Sequence, residues 1–281
     1  MAFGRRSPGQ PQWWLAAFSS TFLTPSTVAW DTNLLKRAAS VRKKVLDFPS
    51  YQDLEHPSAY PKPDGSGMRG YCNWILPRRV MVGQYPGQSP ELDGPSAEDV
   101  KLHMDSIIND SGVNLFCSLQ SEIPSQTDQV SWSDGKIYLP DPDDRRRFPG
   151  PFTHYAPLAQ SLQPECQFIH APIEDLSVPN SESLQTLLLQ LLTAIDEEDR
   201  CIYVHCWGGR GRAGLVASCL LSLLFPEVDA SVILDVIQTG YDTRAGAKNM
   251  PYALSKSPQT ESQRDFVRIF VHERQRVHAK K

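Results

Sequence analysis

The stretch Val204-His205-Cys206-Trp207-Gly208-Gly209-Arg210-Gly211-Arg212-Ala213-Gly214 links a short apolar strand, residues 201–204, to a helix, residues 213–225, that is apolar nearly all round. A helix of that composition is buried, and Pro226 stops it. The loop between the two holds three glycines, Gly208, Gly209 and Gly211. Glycine lets successive backbone N–H groups turn into one concavity, and the helix N-terminus adds partial positive charge behind them. Such a nest suits a phosphate dianion. The same donors favour a thiolate at its rim, which makes Cys206 a candidate nucleophile. Arg212, six residues further on, can fork two hydrogen bonds onto an oxyanion. His205, Trp207, Gly208, Gly209, Arg210 and Gly211 then surround the anion. An inert core cysteine or a plain glycine turn would each explain one part of this pattern, but not their combination. A nucleotide-binding glycine loop would end in Lys-Ser/Thr, which is absent.

Working outward, strand-like segments fall at 79–82, 115–119 and 167–171, and helical stretches at 96–111 and 181–197. In the latter, Leu184, Leu187, Leu188, Leu191, Leu192 and Ile195 share one face. Residues 229–239 and 260–276 read as two further helices. Strands alternating with helices predict an α/β domain, a central twisted sheet covered by helices. Residues 131–159, rich in Pro, Asp and Arg, read as a surface insertion. A Pro- and Gly-rich linker at 56–70 sets an N-terminal extension, 1–67, apart from the main domain, 68–275, with a basic tail at 276–281.

The 281 residues, 40% hydrophobic and 21% charged, describe an ordinary globular chain. A net charge of −4 gives no general affinity for nucleic acid. Six cysteines (72, 117, 166, 201, 206, 219) without CxxC spacing point to free thiols in a reducing compartment. No apolar run reaches the roughly 18 residues of a membrane-spanning helix. No metal-ligand cluster or cofactor motif appears. Residues 1–30 lack Asp and Glu and carry Arg5 and Arg6. They read as a disordered cytoplasmic extension, or alternatively as an organelle-targeting segment cleaved near Thr27-Val28-Ala29. Leu34, Ala38, Val41, Val45 and Phe48 then recur at helical spacing behind a possible Asp31 cap. That helix either packs on the domain or serves as a basic docking helix.

His205-Cys206 to Arg212-Ala213-Gly214 resembles the Cys-x5-Arg loop of the protein tyrosine phosphatase superfamily, and the short domain resembles its dual-specificity branch. The resemblance runs with gaps over residues 73–270 and includes Arg79 to Pro86, similar to the family's opening strand and turn. It implies phosphomonoester hydrolysis through a phosphocysteine, with Cys206 attacking and Arg212 gripping the phosphate. No cofactor is implied. A monomer acting on phospho-Ser/Thr/Tyr in proteins is expected, with a phosphoinositide or other non-protein phosphate, or a weakly active phosphate-binding role, as alternatives. Residues 170–179 are similar to the family's Pro-Ile-x-Asp-x-x-x-Pro acid loop, which implies Asp175 as general acid. Glu174 and the Asp141/Asp143/Asp144 cluster are competing acids. Ser257-Pro258-Gln259-Thr260-Glu261-Ser262-Gln263 resembles the glutamine loop, making Gln259, then Gln263, candidates to orient the hydrolytic water. The same residues also read as a helix start, Thr260 capping with Gln263 three positions on. In relatives with a similar segment, a cysteine placed like Cys117 pairs with the nucleophile on oxidation; a plain core residue is the other reading. Three features depart from the pattern. Ala213 stands where a hydroxyl residue is usual, Arg210 makes the loop unusually basic, and the phosphotyrosine-recognition segment of the larger enzymes is missing.

Overall fold

The computed structural model describes residues 30–279, without 46, 62–64, 66–67, 248–249 and 252–254. The expected targeting segment therefore lies outside the described residues. In chain order the elements are α1 (Thr32–Lys44), β1 (Ala59–Pro61), β2 (Met68–Gly70), β3 (Cys72–Leu76), β4 (Val80–Gly83), α2 (Ala97–Asp105), β5 (Val113–Gln120), β6 (Lys136–Ile137), α3 (Pro142–Arg147), β7 (Phe152–Thr153), α4 (Ala156–Leu162), β8 (Gln167–Ile173), α5 (Ser181–Glu197), β9 (Cys201–His205), α6 (Arg212–Leu224), α7 (Ala230–Asp242) and α8 (Glu261–His278).

The main sheet has the order β3-β4-β9-β5-β8. Only the β3–β4 pair is antiparallel; β4, β9, β5 and β8 run parallel. Strand β9 lies at the centre with every residue buried, as its unbroken apolar run requires. The loops after β4, β5, β8 and β9 leave the sheet at one edge, the C-terminal edge where open α/β sheets bind ligands. The phosphate-loop candidate is thus the central one of these four.

Both faces of the sheet are covered. On one, α1, α5, α6, α7 and α8 pack into a single aliphatic core; every residue of α6 is buried, and the six apolar side chains predicted on α5 are buried with it. On the other, Met104, Phe116, Trp132, Phe152, Tyr155 and Tyr203 form an aromatic core. The central sheet covered by helices is therefore as expected.

Three expectations need correction. Residues 131–159 are not a mere surface insertion: Trp132, Leu139, Phe152, Tyr155 and Ala159 are buried in the aromatic core, although α3 is exposed. The Pro, Asp and Arg between these side chains mask their burial, because composition reads the segment as surface. Strand β3, unforeseen, pairs with β4. The boundary at residue 67 separates no packing units, because Leu34, Leu35, Ala38 and Val41 of α1 share the core of α5 and α6, and His56 and Ser58 in the supposed linker are buried. Asp31 does cap α1, accepting from the Asn33 N–H at 2.7 Å. At the other end, α8 runs through Arg276 to His278, into the expected tail. Among the described residues no helix is long and apolar enough to cross a membrane.

Candidate active site

Strand β9 delivers Cys206 to the sheet edge, and α6 starts six residues later at Arg212. Between them the loop's carbonyls are drawn outward. Trp207 O accepts from Tyr85 N at 2.9 Å, Gly209 O from Arg244 Nη2 at 3.0 Å, and Gly211 O from Leu215 N at 2.9 Å. Arg210 O accepts from both Gly214 N (3.2 Å) and Ser257 Oγ (2.9 Å). Among the described residues none of the N–H groups from Trp207 to Arg212 donates to a protein acceptor. With the carbonyls held out, those donors are left to one anion. Gly209 has φ +67°, and a Cβ there would lie 2.1 Å from the Gly83 carbonyl carbon, so only glycine fits.

Arg212 is almost wholly buried, its side chain 1% exposed. Glu122, just past β5, takes both of its terminal nitrogens at 2.7 and 2.8 Å, and the Ile173 carbonyl accepts from Nη1 at 3.0 Å. Asp175 Oδ1 stands 3.1 Å from Nη2. Burial by itself would lower the pKa of this guanidinium; the hydrogen bonds and charge of Glu122 outweigh it and hold the pKa above the ordinary arginine value. Nε has no partner among the described residues.

Asp175 follows β8 in a turn, 54% exposed beside Arg212. Of its competitors, Glu174 is exposed next to it, whereas Asp141 caps the exposed helix α3 and Asp143 and Asp144 lie in that helix's first turn. The acid turn is tied to the start of α8. Gln263 Nε2 donates to Ser177 O at 3.0 Å, while Gln263 Oε1 accepts from Thr260 N, and Thr260 Oγ1 from Gln263 N, each at 3.2 Å. Both ends of the buried Gln263 amide are thus committed to structure. Gln259 is half-buried, and its Oε1 accepts from Arg210 Nε at 3.2 Å.

Below the loop, burial pushes His205 down to about 3, so its imidazole is neutral; Nε2 shares a 2.8 Å hydrogen bond with the Tyr155 hydroxyl. Trp207 donates from Nε1 to Glu91 at 2.6 Å and packs edge-on against Phe148 and Phe152, with ring centroids 5.0 and 5.2 Å away. Cys117 pairs in register with Val204 and belongs to the same core as Cys206; burial pushes its thiol up to about 12.

Cys206, Arg212, Asp175, Arg210 and Gln259 therefore meet at one sheet edge, while Gln263 and Cys117 support it from within. Sequence reasoning missed Glu122, Glu91 and Arg244. For Glu122 a signal existed: a carboxylate at the C-terminal end of a parallel strand, facing an arginine that needs a partner.

A family model described as the phosphatase domain of a Swiss Army Knife protein, of DSP-PTPase type, matches residues 154–267, from α4 through the loop to α8. Those residues are therefore similar to a cysteine-dependent phosphatase domain of the dual-specificity type. The chain is also similar to cyclin-dependent kinase inhibitor 3 of Rattus norvegicus, 33% identical over 25% of this chain and 32% of that protein. The Homo sapiens protein of the same name is 31% identical over 29% of this chain and 39% of its own length. The chain thus spans between about a third and two fifths of the curated relatives it matches. A crystal structure of kinase associated phosphatase, with serine replacing its catalytic cysteine, overlaps 69% of this chain and 86% of that one at 18% identity and a TM-score of 0.42.

Proposed function

We propose that this phosphatase domain hydrolyses phosphomonoesters on proteins, through a covalent phosphocysteine formed at Cys206. The carrying observation is the run of six N–H groups, Trp207 to Arg212, without acceptors among the described residues, opened by a cysteine and closed by a buried arginine. In the first step the Cys206 thiolate attacks phosphorus while the bond from phosphorus to the ester oxygen breaks, and protonated Asp175 gives its proton to that departing oxygen. The loop N–H groups and Arg212 hold the three equatorial oxygens as charge builds on them. In the second step water attacks the phosphocysteine, Asp175 takes its proton, and the sulfur–phosphorus bond breaks to release phosphate. Gln259, the glutamine whose amide is not locked into the α8 cap, orients that water. Ala213 supplies no hydroxyl to the departing sulfur, so the second step is the slower one.

Turnover on a panel of phosphopeptides and phosphoinositides tests this reading. Phosphopeptides should be the better substrates, Cys206→Ser should abolish release, and Asp175→Asn should cost about 10²–10⁴ in rate on peptides but less on activated aryl phosphates. Release that survives Cys206→Ser would end the proposal, and preference for phosphoinositides would reassign the substrate.

A further inference from the structure

Arg244 lies two residues beyond α7, 32 positions after Arg212, and yet it is bonded to the phosphate loop. Its guanidinium is buried, the residue 5% exposed. Nε donates to Asn73 Oδ1 on β3 at 2.9 Å, and Nη2 donates to both Val82 O on β4 and Gly209 O in the loop, each at 3.0 Å. All three acceptors are uncharged, and among the described residues no carboxylate pairs with this cation. A buried charge without a counter-charge is costly, so a protein that keeps one has something to gain from its field or its geometry.

Both gains follow from the contact with Gly209. A trans peptide points its N–H opposite to its C=O. Drawing the Gly209 carbonyl out toward Arg244 therefore turns the Arg210 N–H the other way, into the concavity. The bonds to β3 and β4 fix the guanidinium against the sheet, and Gly209 packs so closely on Gly83 that no side chain fits between them. The field is coupled to the nucleophile as well. Burial pulls the Arg244 pKa below the ordinary arginine value, and Cys72, Tyr203, Tyr241 and Cys206 pull it back up.

We infer that Arg244 is a positioning residue for the phosphate loop, aiming the Arg210 N–H at the bound oxyanion and supplying a buried positive charge that the anion at Cys206 compensates. This rests on the loop being a phosphate site. Besides Arg244, the groups bearing on Cys206 are Arg212 with its partners Glu122 and Asp175, His205 and Tyr203 of β9, and Arg210 of the loop.

Two variants separate field from geometry. Asn73→Asp sets a carboxylate against Nε and leaves both carbonyl bonds in place, though it gives up the bond from Asn73 Nδ2 to Trp74 O at 2.8 Å; Arg244→Lys keeps the charge but loses the fork. For each, the thermal midpoint, the vanadate affinity and the pH dependence of Cys206 alkylation by iodoacetamide are measured on folded protein in the cold. Asn73→Asp should become alkylated only at higher pH and bind vanadate about three- to tenfold more weakly, whatever its thermal midpoint. Arg244→Lys should weaken vanadate about tenfold with a smaller change in the alkylation profile. Lower thermal midpoints alone, with alkylation and vanadate affinity as in wild type, would make Arg244 a strut and overturn the inference. Neither readout needs turnover. A chain that hydrolyses no phosphate ester but shows both shifts would sink the phosphatase reading and leave this one standing.

Discussion

Before any phosphate arrives, the terminal nitrogens of Arg212 are already engaged by Glu122, Ile173 and Asp175. Glu122 is thus the group that sets the plane of the fork, and a rigid fork loses less entropy on gripping an oxyanion. Replacing it with glutamine keeps an acceptor but removes the charge and one of the paired bonds. Glu122→Gln is expected to lower kcat/KM by about 10–100-fold on phosphopeptides, with vanadate binding weakened alongside. Unchanged steady-state kinetics would show that the loop alone positions Arg212. Cys117 belongs to the same scale. It shares a core with Cys206, and burial pushes its thiol up to about 12, so it stays inert towards all but a strong electrophile such as a Cys206 sulfenic acid. Dilute peroxide should therefore inactivate the protein reversibly through a Cys117–Cys206 bond, and Cys117→Ser should turn that into progressive, irreversible loss. Full recovery of Cys117→Ser with a thiol reductant would rule the pairing out.

Among the elements, the acid turn and the N-terminus of α8 behave as one unit. Gln263 closes the helix cap with one end of its amide and holds Ser177 with the other. Leu176 sits between Asp175 and Ser177 at φ +59°, a left-handed conformation unfavourable for leucine that the surrounding bonds must maintain. Gln263→Ala removes both ties at once. The Thr260 bond to the Gln263 N–H remains, and loss of the reciprocal bond to Thr260 N should cost about 1 kcal/mol, read from the urea midpoint. Release of the turn should slow peptide hydrolysis several-fold while sparing activated aryl phosphates, whose leaving group needs no proton. Equal slowing on both substrates would instead place Gln263 in the step common to them, attack by water on the phosphocysteine.

At the scale of the whole molecule, α1 is sewn to the C-terminal end of α5 through Asp196. Lys44 lies 2.8 Å from that carboxylate, Arg37 2.7 Å, and the Ser40 hydroxyl donates to it at 3.0 Å. The Lys44 hydrogen bond leads, with Arg37 and Ser40 adding to it against burial, in holding Asp196 down at about 2. A carboxylate lowered on folding adds stability above its unfolded pKa of about 3.8 and loses it as the pH falls through about 2. Asp196→Asn should cost roughly 1–2 kcal/mol at neutral pH and much less near pH 2, measured as urea midpoints across that range. An equal loss at both ends would mean that α1 is held by its apolar face alone.

Period and punctuation were enough to place much of this chain. The leucine face of α5, the all-apolar α6 and the strand before Cys206 are local patterns, and burial follows them because apolar periodicity leaves a helix or strand no other stable place. The spacing from Cys206 to Arg212 was legible for the same reason, since a tight glycine loop between strand and helix is a local object. Glu122, Asn73 and Arg244 were not. Each is an ordinary polar residue on its own segment, and each acquires its partner only when the sheet order sets β4 and β5 on either side of β9 and the turn after α7 folds back onto the loop. The burial of Trp132 and Tyr155 was hidden likewise, inside a segment whose composition reads as surface. Local sequence determined which residues could bear the chemistry; only tertiary contact decided which charges face them, because a charge acts through space on neighbours that the chain order does not name.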